Sequence, residues 1–368
     1  MKLSLESIAK EKESWAKAGV KLPGFDIAAV RAKTAAAPEW VHFGAGNIFR
    51  GFIGSLAQRL LGEGLSETGI IACDTFDYDI IDKIYTAFDN LTLNVLLNPD
   101  GTTSREILAS VAEGVKADTS NPASAARLKE IFRAPSLKMI SFTITEKGYR
   151  LRGTDGSLLG VVEADMKDGP SKARHAMSIV AAGLLERFGA GALPLAVVSM
   201  DNCSHNGEKL KAAVVEIANA WVENGFAPAP FAEYVSDEKK VTFPWSMIDK
   251  ITPRPHEKVK AMLAADGFED NDYIETAKHT FTAPFVNSEE VQYLVIEDKY
   301  TGGRPPLELG GALYTTRETV DKVETMKVTT CLNPLHTAMS LYGCLLGYTL
   351  ISAEMADEDI RPFIQKLG

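Results

Sequence analysis

Residues that could act on a small molecule occur in three stretches of this 368-residue sequence. The first is HFGAGNIFRGF, at residues 42–52, where Gly44 and Gly46 follow an apolar run. Gly44 permits a sharp turn after a strand, and Gly46 allows the backbone to approach a pyrophosphate closely. The helix expected next offers N–H groups and the positive end of its dipole, which favour phosphate. The pattern predicts a phosphate cradle, and a purely structural strand-to-helix turn is the alternative.

Further cofactor contacts are predicted within this turn and at the end of the next apolar run, GIIACDTFD. Arg50 could add a charge-assisted contact to phosphate. Asp74 ends the second run, where a carboxylate accepts hydrogen bonds from an adenosine ribose and repels a 2′-phosphate. It could equally cap the helical pattern that follows. The two features together favour NAD over NADP. The predicted cofactor-binding residues are Gly44, Gly46, Asn47, Ile48, Phe49, Arg50 and Asp74.

The second stretch, VVSMDNCSHNG, places four polar residues at the end of a predicted strand and the start of a helix. They are Asp201, Asn202, His205 and Asn206. Open α/β sheets bind their ligands beyond the carboxyl ends of the strands, so this position predicts a substrate site. The alternative is that Asp201 or Asn202 only caps the helix.

The third stretch, MKVTTCLNPLHTAM, is apolar except for a few residues that include Lys327, Asn333 and His336. A buried lysine tends to have a depressed pKa and a catalytic role. The alternative is a lysine whose stem is buried and whose head reaches solvent, beside a core histidine with satisfied hydrogen bonds. Glu146 and Asp249, in TITEKGY and FPWSMIDKITP, are either surface residues or groups near the substrate.

Short apolar runs alternate with longer amphipathic segments, which predicts an α/β fold with a mostly parallel sheet. The predicted strands and helices include strands within 40–44, 69–77, 136–149 and 193–202, and helices within 47–64, 171–191 and 207–224. The character of the sequence changes from about Glu318, and a long, apolar, helix-like stretch follows. We therefore predict a Rossmann-type domain at 1–320, with an N-terminal helical extension, and the start of a helical domain at 321–368.

Composition disfavours several classes of partner, although a local basic patch would still allow one. The net charge of −10 disfavours nucleic acid and anionic membranes. No apolar run reaches the roughly 18 residues of a membrane span, and the charged N-terminus does not resemble a signal peptide. Four cysteines lie far apart without metal-ligand spacing: Cys73, Cys203, Cys331 and Cys344. They are expected to be reduced thiols in a cytoplasmic protein without a metal site.

Five ordered motifs give the sequence a wider resemblance: HFGAGNIFRGFIG, TITEKGY, SMDNCSHNG, FPWSMIDKITP and a lysine followed by NPLH. Over about residues 38–350 the chain resembles the mannitol dehydrogenase family of polyol-specific long-chain dehydrogenases. That resemblance implies a Rossmann-type domain, a helical C-terminal domain, a nicotinamide cofactor and no metal. It also implies that Lys327 is the general acid/base and that Asn202 and Asn333 hold the substrate oxygen. His336 would bind substrate hydroxyls, and the remaining substrate-side positions are Glu146, Asp249 and His205.

Two departures from the family pattern carry expectations of their own. The family spacing has four residues between the lysine and the asparagine, whereas five separate Lys327 from Asn333. On an ideal helix one extra residue rotates the lysine by about 100°, so we expect a bulge, or a helix that begins after the lysine. Family members with a comparable N-terminal extension also continue further, so the helical domain is expected to be incomplete here.

The resemblance favours an NAD-dependent enzyme that interconverts a ketouronate and an aldonate, D-fructuronate and D-mannonate. Mannitol 2-dehydrogenase and mannitol-1-phosphate 5-dehydrogenase activities are the enzymatic alternatives. A catalytically silent NAD-binding protein is the alternative from another class. The expected partner is a small sugar acid or polyol, and the sequence does not predict an oligomeric state.

Overall fold

The computed structural model describes residues 1–98 and 100–368. Within it the chain forms two compact units, Met1–Tyr314 and Thr315–Gly368. The division lies close to the predicted boundary at residues 320/321. The predicted domain boundary itself remains a prediction.

The strands are β1 Val20–Lys21, β2 Trp40–Phe43, β3 Ile70–Asp74, β4 Thr92–Leu97, β5 Thr103–Leu108, β6 Val111–Lys116, β7 Met139–Phe142, β8 Leu195–Ser199, β9 Val241–Thr242, β10 Ser246–Lys250, β11 Ile274–Glu275, β12 Phe281–Thr282, β13 Phe285–Glu289, β14 Gln292–Glu297 and β15 Leu313–Thr315.

The α-helices are α1 Leu5–Lys10, α2 Lys12–Lys17, α3 Ile27–Ala36, α4 Gly54–Gly62, α5 Tyr78–Ile80, α6 Pro122–Arg133, α7 Gly160–Asp168, α8 Ala176–Gly189, α9 Asn206–Glu223, α10 Ala229–Ser236, α11 Glu257–Ala265, α12 Arg317–Thr325, α13 Leu332–Leu346, α14 Ile351–Glu354 and α15 Ile360–Leu367. Short 3₁₀ turns span Glu146–Tyr149 and Pro170–Lys172, and π-helical segments span Phe49–Ile53, Ile81–Thr86 and Met326–Cys331.

The centre of the first unit is a six-stranded sheet in the order β6-β3-β2-β7-β8-β9, with every neighbouring pair parallel. Counted along the chain within this sheet, that is the 3-2-1-4-5-6 order of the Rossmann fold. All residues of β2, β3, β7 and β8 are buried, as expected when helices cover both faces of a parallel sheet.

Successive side chains of a strand point to opposite faces, so the sheet has two cores. Val41 and Phe43 pack on one face with residues of α6, α8 and α9. Trp40 packs on the other face, with residues of α4 and of the π-helical segment Ile81–Thr86. The register sets Phe43 opposite both Cys73 and Phe142, so the carboxyl ends of β2, β3 and β7 lie side by side.

Smaller sheets that the sequence did not predict surround this core. One is four-stranded, in the order β1-β5-β4-β13, and another is three-stranded, in the order β10-β14-β15. The strands β11 and β12 form a separate antiparallel hairpin. A third core, which includes Trp15 and Phe285, joins the N-terminal helices to the four-stranded sheet.

The second unit consists of α12, the π-helical segment Met326–Cys331, α13, α14 and α15. Its buried core includes Met339, Ile360 and Ile364. The helix α13 is followed by its C-cap residue Gly347, which adopts a left-handed conformation with φ +86°. Across the described part of the chain, no helix is long and apolar enough to span a membrane.

Candidate active site

The glycine turn after β2 lies at the carboxyl edge of the six-stranded sheet and is held on both sides. Gly44 has φ +101°, and a Cβ atom there would lie 2.2 Å from the Thr143 carbonyl oxygen. The Gly44 N–H donates to the Cys73 carbonyl (2.9 Å), and the Thr143 hydroxyl donates to the Gly44 carbonyl (3.1 Å). Position 44 therefore requires glycine for both its conformation and its space.

The next residue of the turn, Ala45, is equally fixed. Its N–H donates to Asp74 Oδ2 at 3.3 Å, and its carbonyl accepts the Tyr85 hydroxyl at 3.0 Å. Tyr85 is 1% exposed and belongs to the π-helical segment Ile81–Thr86. The backbone of Gly44 and Ala45 is thus bonded at both N–H and both carbonyl groups, so the shape of the turn is set before any ligand binds.

Gly46 differs from Gly44 because its surroundings are open. A Cβ atom at Gly46 would meet no protein atom within 4 Å among the described residues. The Arg50 N–H donates to the Gly46 carbonyl at 3.0 Å, so the helix begins immediately after this glycine. The first N–H groups of a helix have no acceptor within it, and the partly exposed Asn47 and Ile48 occupy this first turn. The residues present therefore fit a pyrophosphate approaching the backbone at Gly46.

The predicted phosphate contact of Arg50 is corrected by the structure. Its side chain is 2% exposed, and its guanidinium donates to the Thr92 and Thr282 hydroxyls and to the Pro284 carbonyl. Burial lowers the pKa of Arg50 to about 10. The side chain points into the protein because acceptors distant in sequence surround it. It therefore anchors the helix that follows the glycine turn and does not face an exposed phosphate site. Phe49, also predicted as a cofactor contact, is fully buried.

Phe49 stacks on His42, with ring centroids 4.2 Å apart and an interplanar angle of 7°. His42 lies 2.7 Å from the Ser141 hydroxyl through Nδ1 and 2.8 Å from the Thr143 hydroxyl through Nε2. Burial lowers the pKa of His42 to about 3, so the ring is neutral at physiological pH. The Thr143 hydroxyl also donates to the Gly44 carbonyl, so His42 supports the glycine turn through Thr143.

Asp74 stands at the end of β3, as predicted, but its carboxylate faces the backbone. Oδ1 accepts the N–H groups of Phe76 (2.8 Å) and Asp77 (2.7 Å), and Oδ2 accepts the N–H of Ala45. Burial raises the pKa of Asp74, although these three bonds oppose that effect. The carboxylate therefore holds the loop after β3 against the glycine turn. This role resembles the alternative prediction, in which Asp74 caps the helical segment that follows. A ribose contact for Asp74 stays a prediction.

The polar cluster after β8 separates into two pairs with different surroundings. Asp201 accepts the N–H groups of Ile144 and Thr145 (both 2.9 Å) and the Tyr149 hydroxyl (2.5 Å). Asn206, 1% exposed, donates to main-chain carbonyls that include that of Ser246 (3.0 Å). These two residues hold the loop to its neighbours.

The other pair is exposed. Asn202 lies at the surface of the loop, and His205 stacks on Trp245 with ring centroids 4.4 Å apart. The N-cap position of α9 is His205, and it forms no side-chain cap bond. The capping alternative for Asp201 or Asn202 is therefore wrong. Both side chains lie on the surface of this loop, and His205 Nδ1 is 3.6 Å from a carboxylate oxygen of Glu208.

Glu146 and Asp249, the two acidic residues predicted to lie near the substrate, have different surroundings. Glu146, in the 3₁₀ turn after β7, pairs with Lys209 at 3.0 Å and with Arg150 at 3.5 Å. Lys209 lowers the pKa of Glu146, which keeps the carboxylate ionised. Asp249 is half-buried on β10, opposite Tyr293 of β14.

In the second unit, Lys327 is buried within the π-helical segment Met326–Cys331. The Leu332 N–H donates to the Lys327 carbonyl, five residues earlier. The hydroxyls of Thr329 and Thr330 donate to the carbonyls four residues before them, at 2.5 and 2.8 Å. Such bonds compete with the regular helical ladder. The expected bulge near Lys327 is present, and α13 also begins after the lysine.

Asn333 and His336 lie in the first turn and a half of α13. They are three residues apart, so they lie on one side of that helix. Asn333 is exposed and His336 is half-buried. Pro334, between them, has no N–H to donate to the Thr330 carbonyl, which also weakens the regular ladder in this segment.

Sequence reasoning missed the residues that hold the site. Thr143 begins the TITEKGY motif, and its place after β7 could have suggested a contact with the neighbouring turn. Tyr85 carries no comparable signal, because it lies outside the motifs, in the π-helical segment Ile81–Thr86, and its contact with Ala45 depends on the tertiary fold.

Comparison with known proteins places this architecture in a family. A family model described as "Mannitol dehydrogenase Rossmann domain" matches residues 38–309. A D-mannonate oxidoreductase from Thermotoga maritima is 50% identical over 100% of this chain and 68% of its own length. A mannitol 2-dehydrogenase from Cereibacter sphaeroides is 31% identical over 91% of this chain and 65% of its own.

A crystal structure of D-sorbitol dehydrogenase in substrate-free form superposes with a TM-score of 0.78 at 26% identity, over 95% of this chain and 66% of that one. The chain thus spans about two thirds of the length of these relatives. It belongs to the mannitol dehydrogenase family. This membership confirms the predicted Rossmann-type fold and the oxidoreductase class.

Proposed function

We propose that this chain binds NAD over the glycine turn and interconverts a ketouronate and an aldonate, D-fructuronate and D-mannonate. The observation that carries the proposal is the contrast within the turn. Gly44 and Ala45 are bonded at every backbone polar group, whereas the space beside Gly46 is open. The substrate rests on the name of the relative that is 50% identical over the whole chain.

The chemistry assigned to each residue follows from the reduction of a ketone. When bound, the nicotinamide supplies the hydride, and the protein supplies position and charge. We propose that the Lys327 ammonium gives a proton to the developing alkoxide and takes one back in the reverse direction. The side-chain amides of Asn202 and Asn333 would donate hydrogen bonds to the same oxygen.

His336 would bind a substrate hydroxyl, and His205, Glu146 and Asp249 are proposed to lie on the substrate side. We propose a mechanism without a metal, because an ammonium and two amides can supply the polarisation that zinc provides in other dehydrogenases. A cytoplasmic location and the absence of a nucleic-acid partner are part of the same proposal, as expected for an acidic protein acting on a small sugar acid.

The proposal is tested by following NADH absorbance with purified protein and a panel of D-fructuronate, D-fructose and D-fructose 6-phosphate. We expect D-fructuronate to give the highest kcat/KM. Faster turnover of D-fructose would favour the mannitol 2-dehydrogenase activity that the name of the 31% identical relative suggests. NADH binding without turnover of any of the three would favour a silent dinucleotide-binding protein.

A further inference from the structure

A continuous chain of hydrogen bonds leads from side chains of β2 and β7 to the glycine turn. The Trp40 Nε1–H donates to the Ser141 hydroxyl at 2.7 Å, and that hydroxyl lies 2.7 Å from His42 Nδ1. His42 Nε2 lies 2.8 Å from the Thr143 hydroxyl, which donates to the Gly44 carbonyl at 3.1 Å. Trp40, His42 and Ser141 are each at most 4% exposed, so water does not compete for these bonds.

The Trp40 end of this chain determines which ring nitrogen of His42 carries the proton. An indole N–H can only donate, so the Ser141 hydroxyl accepts from Trp40. Among the described residues, His42 Nδ1 is the acceptor within reach of the single hydrogen of that hydroxyl. Nδ1 therefore accepts, and the proton of the neutral ring lies on Nε2.

The Gly44 end leads to the same assignment independently. A backbone carbonyl can only accept, so the Thr143 hydroxyl uses its single hydrogen in the bond to Gly44. The Thr143 oxygen must then accept from His42, which requires a proton on Nε2. All four bonds thus run in one direction, from the indole to the carbonyl. Hydrogen bonds in such a chain polarise and strengthen one another.

The chain fixes the peptide group between Gly44 and Ala45. The carbonyl of this peptide accepts from Thr143, and its N–H donates to Asp74 Oδ2 at 3.3 Å. Thr143 follows β7 and Asp74 ends β3, the two strands that pair with β2 on either side. The plane of this peptide is therefore held from both neighbouring strands.

His42 also contacts the helix that follows the glycine turn. Its ring stacks on Phe49, the first residue of the π-helical segment, with ring centroids 4.2 Å apart. The same ring thus orients the Gly44 carbonyl through Thr143 and supports the start of the helix. The turn and the helix are the two elements whose backbone is proposed to face a pyrophosphate.

We propose that His42, fixed as its Nε2–H tautomer, is a positioning residue that holds the glycine turn in the shape that binds the dinucleotide. The inference rests on the proposed NAD binding, and it adds a residue that acts on the cofactor only through the turn. A side chain with an acceptor toward Ser141 and a donor toward Thr143 preserves the chain, and glutamine has both. Leucine leaves both hydroxyls without this partner.

The first measurement determines the tautomer, with a long-range proton–nitrogen correlation spectrum of the full chain carrying isotope-labelled histidine. The His42 signals are identified by their loss in the His42→Gln variant. At neutral pH we expect the proton on Nε2. A histidine that only fills space can hold either tautomer, so a proton on Nδ1 would overturn the proposal.

The second measurement is a fluorescence titration with NADH, without substrate. His42→Gln should bind NADH within about twofold of the unmodified protein, whereas His42→Leu should bind it about five- to tenfold more weakly. Ser141→Ala interrupts the chain one bond earlier and should weaken NADH binding about threefold. Ser178→Ala is the matched control and should leave the affinity unchanged. Ser178 is equally buried, on α8, and its hydroxyl has no hydrogen-bond partner within the described residues.

Two results of the titration would also overturn the proposal. One is equal NADH affinity of His42→Leu and His42→Gln, with the folding of both confirmed by circular dichroism. If His42→Leu does not fold, the contrary result is equal affinity of Ser141→Ala and Ser178→Ala. An unmodified protein that binds no NADH would overturn the proposed function and this role with it. NADH binding together with a proton on Nδ1 would overturn only the inference about His42, so the two failures are distinguishable.

Discussion

The backbone N–H of Leu332 donates to the carbonyl of Lys327, and this i→i+5 bond closes a π-helical turn directly before α13. A π turn holds one more residue than an α turn, and such bulges are frequent at functional sites. The π turn therefore takes up one residue between Lys327 and Asn333, which is what the spacing expected from the family resemblance requires. The remaining helix continues in regular α geometry.

Deleting Thr329 tests this account of the π turn. The deletion restores the family spacing, so the segment should become regular α-helix and kcat with D-fructuronate should stay within about tenfold of the unmodified protein. Inserting an alanine after Thr329 is the matched control. A second extra residue would rotate Lys327 by about 100°, and kcat should fall at least 100-fold. Equal activity of both variants would show that the helical register does not matter.

Substitution of Gly44 by alanine should mainly lower the free energy of unfolding, whereas substitution of Gly46 by alanine should mainly weaken NADH binding. At Gly44 the added Cβ meets the Thr143 carbonyl at 2.2 Å and φ is +101°, so we expect a loss of about 1–3 kcal/mol in the free energy of unfolding. At Gly46 the Cβ meets no described protein atom, so stability should change by less than about 0.5 kcal/mol. NADH affinity should nevertheless fall at least about tenfold at Gly46, because the methyl group occupies the space proposed for the pyrophosphate.

Urea denaturation and NADH titration of the two glycine variants supply both measurements. A stable Gly46→Ala protein with unchanged NADH affinity would remove the pyrophosphate from this position.

Tyr85→Phe should loosen the glycine turn without altering its sequence. The hydroxyl is buried and donates to the Ala45 carbonyl at 3.0 Å, so its removal leaves that carbonyl without this donor. We expect a cost of about 1–2 kcal/mol in unfolding free energy and a several-fold weaker NADH affinity. Calorimetric titration with NADH measures the second effect. Unchanged affinity, with the expected loss of stability, would mean that Tyr85 supports the fold and not the cofactor site.

His42 should make stability depend on pH. Its pKa is about 3 in the folded protein because the ring is buried, against about 6.5 in the unfolded chain. Above pH 6.5 neither state is protonated, so the stability is fully present. As the pH falls below 6.5 the unfolded state binds a proton that the folded state does not, which costs about 1.4 kcal/mol per pH unit until about pH 3.

The stability advantage of the unmodified protein over His42→Gln should therefore shrink by about 2 kcal/mol between pH 7 and pH 5. Urea denaturation at a series of pH values measures it. A difference that is constant over this range would contradict the burial of a neutral histidine.

The sequence predicted β2, β3, β7 and β8 of the central sheet, because each contains an apolar run, but it did not predict β6 and β9. The runs at Trp40–Phe43, Ile70–Asp74 and Leu195–Ser199 are all buried strands of the observed sheet. The four-stranded sheet was not predicted, because strands such as Thr103–Leu108 mix polar and apolar residues, and because two of its pairings, β1 with β5 and β13 with β4, join segments far apart in sequence.

Within the site, the sequence indicated which residues are polar but not which way they point. Arg50 is buried because Thr92, Thr282 and Pro284 supply its hydrogen-bond acceptors. No residue near Arg50 in the sequence indicates that these acceptors are present. Asp201 and Asn202 are adjacent in one polar motif, yet the first is buried and the second is exposed. Such assignments depend on tertiary contacts that local periodicity does not contain.

The most direct test of the proposed mechanism compares the unmodified protein with Lys327→Ala in two assays, NADH oxidation with D-fructuronate and NADH binding. Lys322→Ala, an exposed lysine of α12, is the control. Loss of the proposed general acid should lower kcat by about 10²–10⁴-fold while the dissociation constant for NADH changes less than about twofold. A Lys327→Ala protein that turns over D-fructuronate as fast as the Lys322→Ala control would contradict the account.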